Sequence, residues 1–174
     1  MNDIIKSMIE RRSIKKYKPD MIPKDAIDEI IKAGLYAANG RGKQCAIIVA
    51  VTDKSMRDKL SEINCKIGGW ESSYDPFYGA PVVLIVLADK SCSTGIYDGS
   101  LVMGNLMLAA DSLGIGSCWI HRAKEEFETP ELKEWLKSIG VEGEYEGIGH
   151  CILGYADMEK PTPQKRNDNR VFYV

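Results

Sequence analysis

The chain has 174 residues, 44% of them hydrophobic and 28% charged, which suits one globular domain with a real core. Its formal net charge of −2 argues against a general nucleic-acid binder, because phosphate contacts call for a basic excess. The longest apolar run, APVVLIVLA at 80–88, is too short to span a bilayer, and Asp3 and Glu10 interrupt the N-terminal apolar stretch, so the expectation is a soluble, cytoplasmic protein with no membrane contact.

In chain order, Ile4, Ile5, Met8 and Ile9 predict a helix over 3–11. It runs into RRSIKKYK at 11–18, five basic side chains in eight residues. Basic residues suit a helix C-terminus, but they can equally cradle one small anion. Pro23 marks a helix start, with Ile27, Ile30, Ile31, Leu35 and Ala38 at helical spacing. NGRGK at 39–43 reads as a loop, and QCAIIVAVT at 44–52 as a buried strand. Asp53 is placed to cap a helix running to about Asn64, with Met56, Leu60 and Ile63 inward.

Residues 65–79 lack periodicity and hold Trp70, Tyr74, Phe77 and Tyr78; this long loop is a candidate substrate lid. A second buried strand follows at 80–89, then an unusually apolar helix over 98–112 that calls for cover on more than one side. Residues 113–120 lead into a third strand. Thr129-Pro130 opens a helix to about Ser138, and 147–156 is a fourth strand, in which His150 reads as structural. The result is a single domain over 1–174 of mixed helices and strands, without internal repeats.

The five cysteines lie twenty or more residues apart, without a Cys-x-x-Cys or a Cys/His cluster, so no metal site is expected. An odd count with no secretion signal suggests reduced thiols throughout. Neither a phosphate-loop motif nor a G-x-G-x-x-G between strand and helix is present.

Four pieces in fixed order carry more than any one alone: RRSIKKY, AANGRGKQ, NLMLAADSLGIGSCWIHR and LGYADMEKPTPQKR. In that order and spacing the chain resembles the flavin-dependent nitroreductase family, from about residue 4 to residue 170. The resemblance implies an α+β three-layer sandwich, a mixed but mainly antiparallel sheet flanked by helices, assembled as an intertwined homodimer with FMN at the interface. It implies NAD(P)H as electron donor and a small electron-poor acceptor, such as a nitroaromatic or quinone. It also implies that Arg11, Arg12 and Ser13 contact the phosphate and ribityl chain, that Lys15 lies beside the pyrimidine edge, and that Lys165 and Arg166 return to the phosphate. Backbone N–H groups of Ile120, His121 and Arg122 would face flavin N5 and O4.

The family's loop reaching the partner's flavin corresponds here to Asn39, Gly40, Gly42 and Gln44, and only Gln44 keeps the usual residue. No side chain is required as a general acid; the flavin carries the chemistry and Lys15 supplies electrostatic support. A dehalogenase- or enoate-type acceptor, or a non-catalytic FMN-binding module, is compatible with the same resemblance.

Overall fold

The run Val82–Asp89 is apolar up to its last residue because the strand it forms has no solvent face. In the computed structural model, which describes residues 1–174, this strand sits inside a four-stranded sheet. Its side chains alternate between two cores. Val83, Ile85 and Leu87 meet Leu60, Phe77, Phe127, Leu132 and Leu136 on one face. Val82, Leu84, Val86 and Ala88 meet Ile27, Ile30, Met103, Leu106 and Ala110 on the other. The three layers follow from that alternation.

The elements are α1 (Asp3–Glu10), α2 (Lys24–Leu35), a 3-10 turn (Gly40–Gly42), β1 (Ala46–Val51), α3 (Lys54–Gly68), β2 (Val82–Asp89), α4 (Gly95–Ser112), β3 (Gly116–Ile120), α5 (Ala123–Phe127), α6 (Pro130–Ser138) and β4 (Tyr145–Gly154). The sheet order is β1-β2-β4-β3, with every neighbouring pair antiparallel. Ser13 adds a parallel bridge to Ser117 on the free edge of β3, which makes the sheet mixed, as expected. No helix is long and apolar enough to cross a membrane.

Several boundaries differ from the expectation. The third helix runs a turn past Asn64 and stops where Gly69 takes a left-handed C-cap at φ 68°. Pro23 stands at the start of α2 as expected, as its N-cap. α4 begins at Gly95, before the expected Asp98. Helix α5 has no counterpart in the sequence reading: AKEEF is too short to show a period.

The thiol expectation is overturned. Cys45 and Cys92 form a disulfide, and Cys65, Cys118 and Cys151 are free and buried. The hydrogen bond from Asp89 N–H to Cys45 O, 2.9 Å, folds the turn after β2 over the start of β1 and brings the distant pair together.

Candidate functional site

The basic segment is an extended strip held along β3 and the end of β4. Ile14 N–H donates to Ser117 O at 3.0 Å, and Lys18 N–H to Tyr155 O at 2.9 Å. Arg11, Ser13, Lys15 and Tyr17 alternate along it and converge on Cys118. Burial pushes the Cys118 thiol up, while the Ser13 hydrogen bond and the Lys15 and Arg11 charges draw it back. The Tyr17 hydroxyl is raised by burial first, then by its neighbours Cys118, Cys151 and Tyr78.

The strip carries donors without acceptors. Arg11 Nη1, Arg12 Nε, Ser117 Oγ and Tyr17 Oη are buried and unpaired. Arg12 Nη1 donates only to the carbonyls of Ile9 at 2.7 Å and Arg11 at 2.5 Å. Each such orphan costs about 1–3 kcal/mol unless something bonds it. A phosphate is a ligand that guanidinium and hydroxyl donors can satisfy. Ser117 was not singled out in the sequence; a serine between two apolar residues of a strand was the signal.

β3 points at the second cluster. Past Ile120 the chain turns through His121 and Arg122, and Arg122 takes φ 79°, a left-handed conformation costly for a side-chain-bearing residue. The peptide N–H groups of His121 and Arg122 donate to nothing in the chain. His121 itself is exposed. Below the turn, Asn64 Nδ2 donates to His121 O at 2.8 Å and to Glu126 Oε1 at 2.5 Å. His150 Nε2 stands 3.0 Å from Glu126 Oε2, near but not aligned for a hydrogen bond, so His150 belongs to the interior as expected. Asn64 and Glu126 are functional candidates the sequence reading missed. Asn64 is four residues from Leu60 on the inward face of α3, and a polar residue there was the available sign.

An aromatic ladder joins the two clusters. The Arg122 guanidinium lies 4.3 Å over the Trp70 ring, Trp70 meets Tyr74 edge-on at 4.9 Å, and the Tyr74 and Tyr78 hydroxyls are 3.2 Å apart. Lys15 Nζ completes it, 6.0 Å above Tyr78. The Tyr74 hydroxyl is pushed up to about 12, chiefly by its hydrogen bond to Tyr78. Trp70, Tyr74 and Tyr78 therefore border the site. Phe77 does not: it is fully buried between Arg57 and His150, and its place among the lid candidates is corrected. The loop turns inward there because Asp75 accepts from Phe77 N–H at 2.9 Å and Gly79 N–H at 2.7 Å.

The remaining candidates lie elsewhere in the chain. Asn39 to Gln44 precede β1, at the sheet edge opposite β3. Asn39 Oδ1 accepts from Gln44 N–H and Asp98 Oδ1 from Gly40 N–H, each at 3.0 Å, which ties this loop to the start of α4. Arg41, Gly42 and Gln44 all have positive φ. Lys165 and Arg166 are exposed; Lys165 reaches Asp168 at 4.0 Å, and Arg166 pairs with nothing in the chain. One chain thus gathers Arg11, Arg12, Ser13, Lys15, Ile120, His121 and Arg122, and does not bring the 39–44 loop or the tail to them. No cluster of His, Cys, Asp or Glu is arranged to hold a metal ion.

Known proteins share this fold. A Vibrio harveyi protein named NADPH-flavin oxidoreductase is 31% identical over 129 residues, 69% of this chain and 54% of that protein. An Archaeoglobus fulgidus protein provisionally named NADH dehydrogenase/NAD(P)H nitroreductase is 29% identical over 165 residues, 92% of this chain and 89% of its own. The chain spans only about half to two thirds of most curated relatives it matches, 60% of a Methanothermobacter protein and 53% of a Bacillus subtilis FMN reductase among them. A Bacteroides fragilis nitroreductase crystallised with bound FMN superposes with a TM-score of 0.91 at 26% identity, covering all of both chains. A Desulfitobacterium hafniense nitroreductase gives 0.88 at 24% identity, which speaks for the fold. The Nitroreductase family pattern matches residues 8–67 and 69–155, nearly the whole span of the described elements, and the chain belongs to that family.

Proposed function

We propose that this chain is an FMN-dependent oxidoreductase that takes electrons from NAD(P)H and passes them to an electron-poor small molecule, a nitroaromatic or quinone, as a homodimer. The observation that carries it is the pair of buried, unpaired guanidinium nitrogens on Arg11 and Arg12, next to Ser13 on one strip. FMN's terminal phosphate is the anion that fits them. The free N–H groups of His121 and Arg122 suit the polar edge of an isoalloxazine ring.

Bound FMN supplies the two-electron chemistry. The chain's residues bind and orient it. Arg11, Arg12, Ser13 and Ser117 take the phosphate end. Lys15 offsets negative charge that reduction builds at the pyrimidine edge. Trp70, Tyr74 and Tyr78 wall the opening against water. Asn39, Gly40, Gly42 and Gln44 serve the flavin of the partner subunit, which accounts for their place at the opposite sheet edge. Lys165 and Arg166 approach a phosphate in the same assembled dimer. NAD(P)H as donor fits a cytoplasmic setting, and the Cys45–Cys92 disulfide is the feature that weighs against it.

The test is direct. Apoprotein titrated with FMN should give a tight one-to-one flavin per chain, and NADH or NADPH should bleach the visible flavin band. A nitroaromatic or quinone should restore the band and raise turnover. Absence of flavin binding, or bleaching that no acceptor reverses, rejects the reading.

A further inference from the structure

The buried side chains Asn64, Glu126 and His150 are each 0% exposed. They form a polar pocket inside an otherwise apolar core. Asn64 Oδ1, Glu126 Oε2 and both His150 ring nitrogens lack aligned partners. Such a cluster destabilises a fold relative to well-packed apolar side chains. Stability therefore does not explain it.

Its side chains hydrogen-bond outside the cluster at one place, the turn after β3. Asn64 Nδ2 donates to His121 O at 2.8 Å. The His121 carbonyl and the Arg122 N–H belong to the same peptide unit, and in a trans peptide they point in opposite directions. Fixing the carbonyl inward therefore fixes the Arg122 N–H outward. The hydrogen bond on the oxygen also polarises the amide and strengthens the N–H as a donor.

The neighbouring carbonyls are held inward too. Arg122 O accepts from Glu126 N–H at 3.0 Å. Ala123 O packs so close to β4 that a Cβ on Gly147 would lie 2.1 Å from it. Glu126 Oε1, 2.5 Å from Asn64 Nδ2, keeps the Asn64 amide in the orientation that donates to the turn.

We infer that Asn64 is a positioning residue for the flavin reaction: held by Glu126, it orients and polarises the His121–Arg122 peptide so that the Arg122 N–H is aimed at the N5/O4 edge of bound FMN. This rests on the proposed flavin reading of the site. Asn64 itself does not touch the cofactor. The left-handed Arg122 is the strain that this anchoring holds in place.

The test uses FMN labelled with 15N at N5 and 13C at C4, bound to the full chain. In the wild type, both signals should differ from free FMN. In Asn64→Leu, which keeps the branched outline and removes the donor, they should move toward the free values. FMN affinity should stay within about threefold and hydride-transfer rate should fall about tenfold or more, since the lost interaction orients a donor rather than holding the phosphate. Signals unchanged from wild type in the variant overturn the inference alone. Wild-type signals already equal to those of free FMN overturn the flavin reading of the turn, and the inference with it. A second measurement needs no variant. The side-chain amide signals of Asn64 in the wild-type protein should shift on FMN loading, since the 121–122 peptide links them to the ligand. Stationary Asn64 signals overturn the inference even where Asn64→Leu does not fold.

Discussion

Within RRSIKKYK, neighbouring cations have different fates. Lys16 pairs with Asp157 at 2.8 Å with its side chain 67% exposed, a contact of little energetic weight. Arg11 and Arg12 are half-buried with nitrogens that nothing in the chain satisfies. The sequence showed a basic cluster; it could not show which members lose water, because that depends on Ser117 and Cys118 arriving from a strand a hundred residues away. The difference has a measurable consequence. Arg11→Ala should weaken FMN binding roughly ten- to a hundredfold, the loss of about 1.5–3 kcal/mol in charge-assisted hydrogen bonds. The same variant should leave the apoprotein melting no lower than wild type, since it removes an unpaired buried donor. Lys137→Ala, an exposed change on α6, should leave affinity unchanged. Flavin titration and apoprotein melting together check this, and equal FMN affinity for Arg11→Ala and wild type removes Arg11 from the phosphate site.

Elements with a long period were legible in the sequence, and elements built by side-chain capture were not. The apolar run of β2 and the caps at Asp53 and Thr129 announced themselves, and both caps accept the expected backbone N–H. The order β1-β2-β4-β3 is invisible to periodicity, because pairing is decided between strands. The 69–81 loop escaped for another reason: a single carboxylate organises it. Asp75 takes Arg57 Nη2 at 2.5 Å and Ser61 Oγ at 2.6 Å besides its two backbone donors. That capture buries Phe77 and leaves its three aromatic neighbours at the rim.

Burial alone would raise the Asp75 pKa, but the Arg57 and Ser61 hydrogen bonds outweigh it and hold the carboxyl below its usual range. A carboxyl lowered in the folded state contributes its stability fully above the ordinary carboxylate pKa, and loses it as pH falls through the folded value. Asp75→Asn leaves the buried Arg57 without its main countercharge and should cost about 3 kcal/mol at neutral pH. The gap in melting temperature between wild type and variant should then narrow as pH drops from 7 toward 3. A gap independent of pH would mean that the ionised carboxylate is not what holds the loop.

At the scale of the whole molecule, a single chain leaves apolar helix faces uncovered. Helix α1 buries none of its residues, and Ile4, Ile5, Met8 and Ile9 remain exposed. On α4 the inward face packs on the sheet, while Tyr97 at 72% and Leu101 at 51% stand in solvent. Those two share a stripe with Gly104, where an added Cβ would meet nothing, so another backbone can come close. Phe172 and Tyr173 in the tail are exposed as well. Exposed apolar side chains on two helices are the kind of surface that protein interfaces cover. The candidate flavin contacts add a second reason to expect a dimer: they fall on opposite edges of one sheet, and a two-fold assembly would let one chain's 39–44 loop serve the other chain's 11–15 strip. The sequence hinted at the first reason through the apolar 98–112 helix, and had no means of showing the second. The expected outcome is a dimer by light scattering at low micromolar concentration, with and without FMN. Leu101→Lys places a charge in the centre of the α4 stripe and should shift the mass toward monomer. If the loop of one chain completes the flavin site of the other, FMN affinity in that variant should rise with protein concentration as dimers re-form. A wild-type chain that scatters as a flavin-loaded monomer would mean that each chain completes its own site, and the 39–44 loop would then have no role at the cofactor.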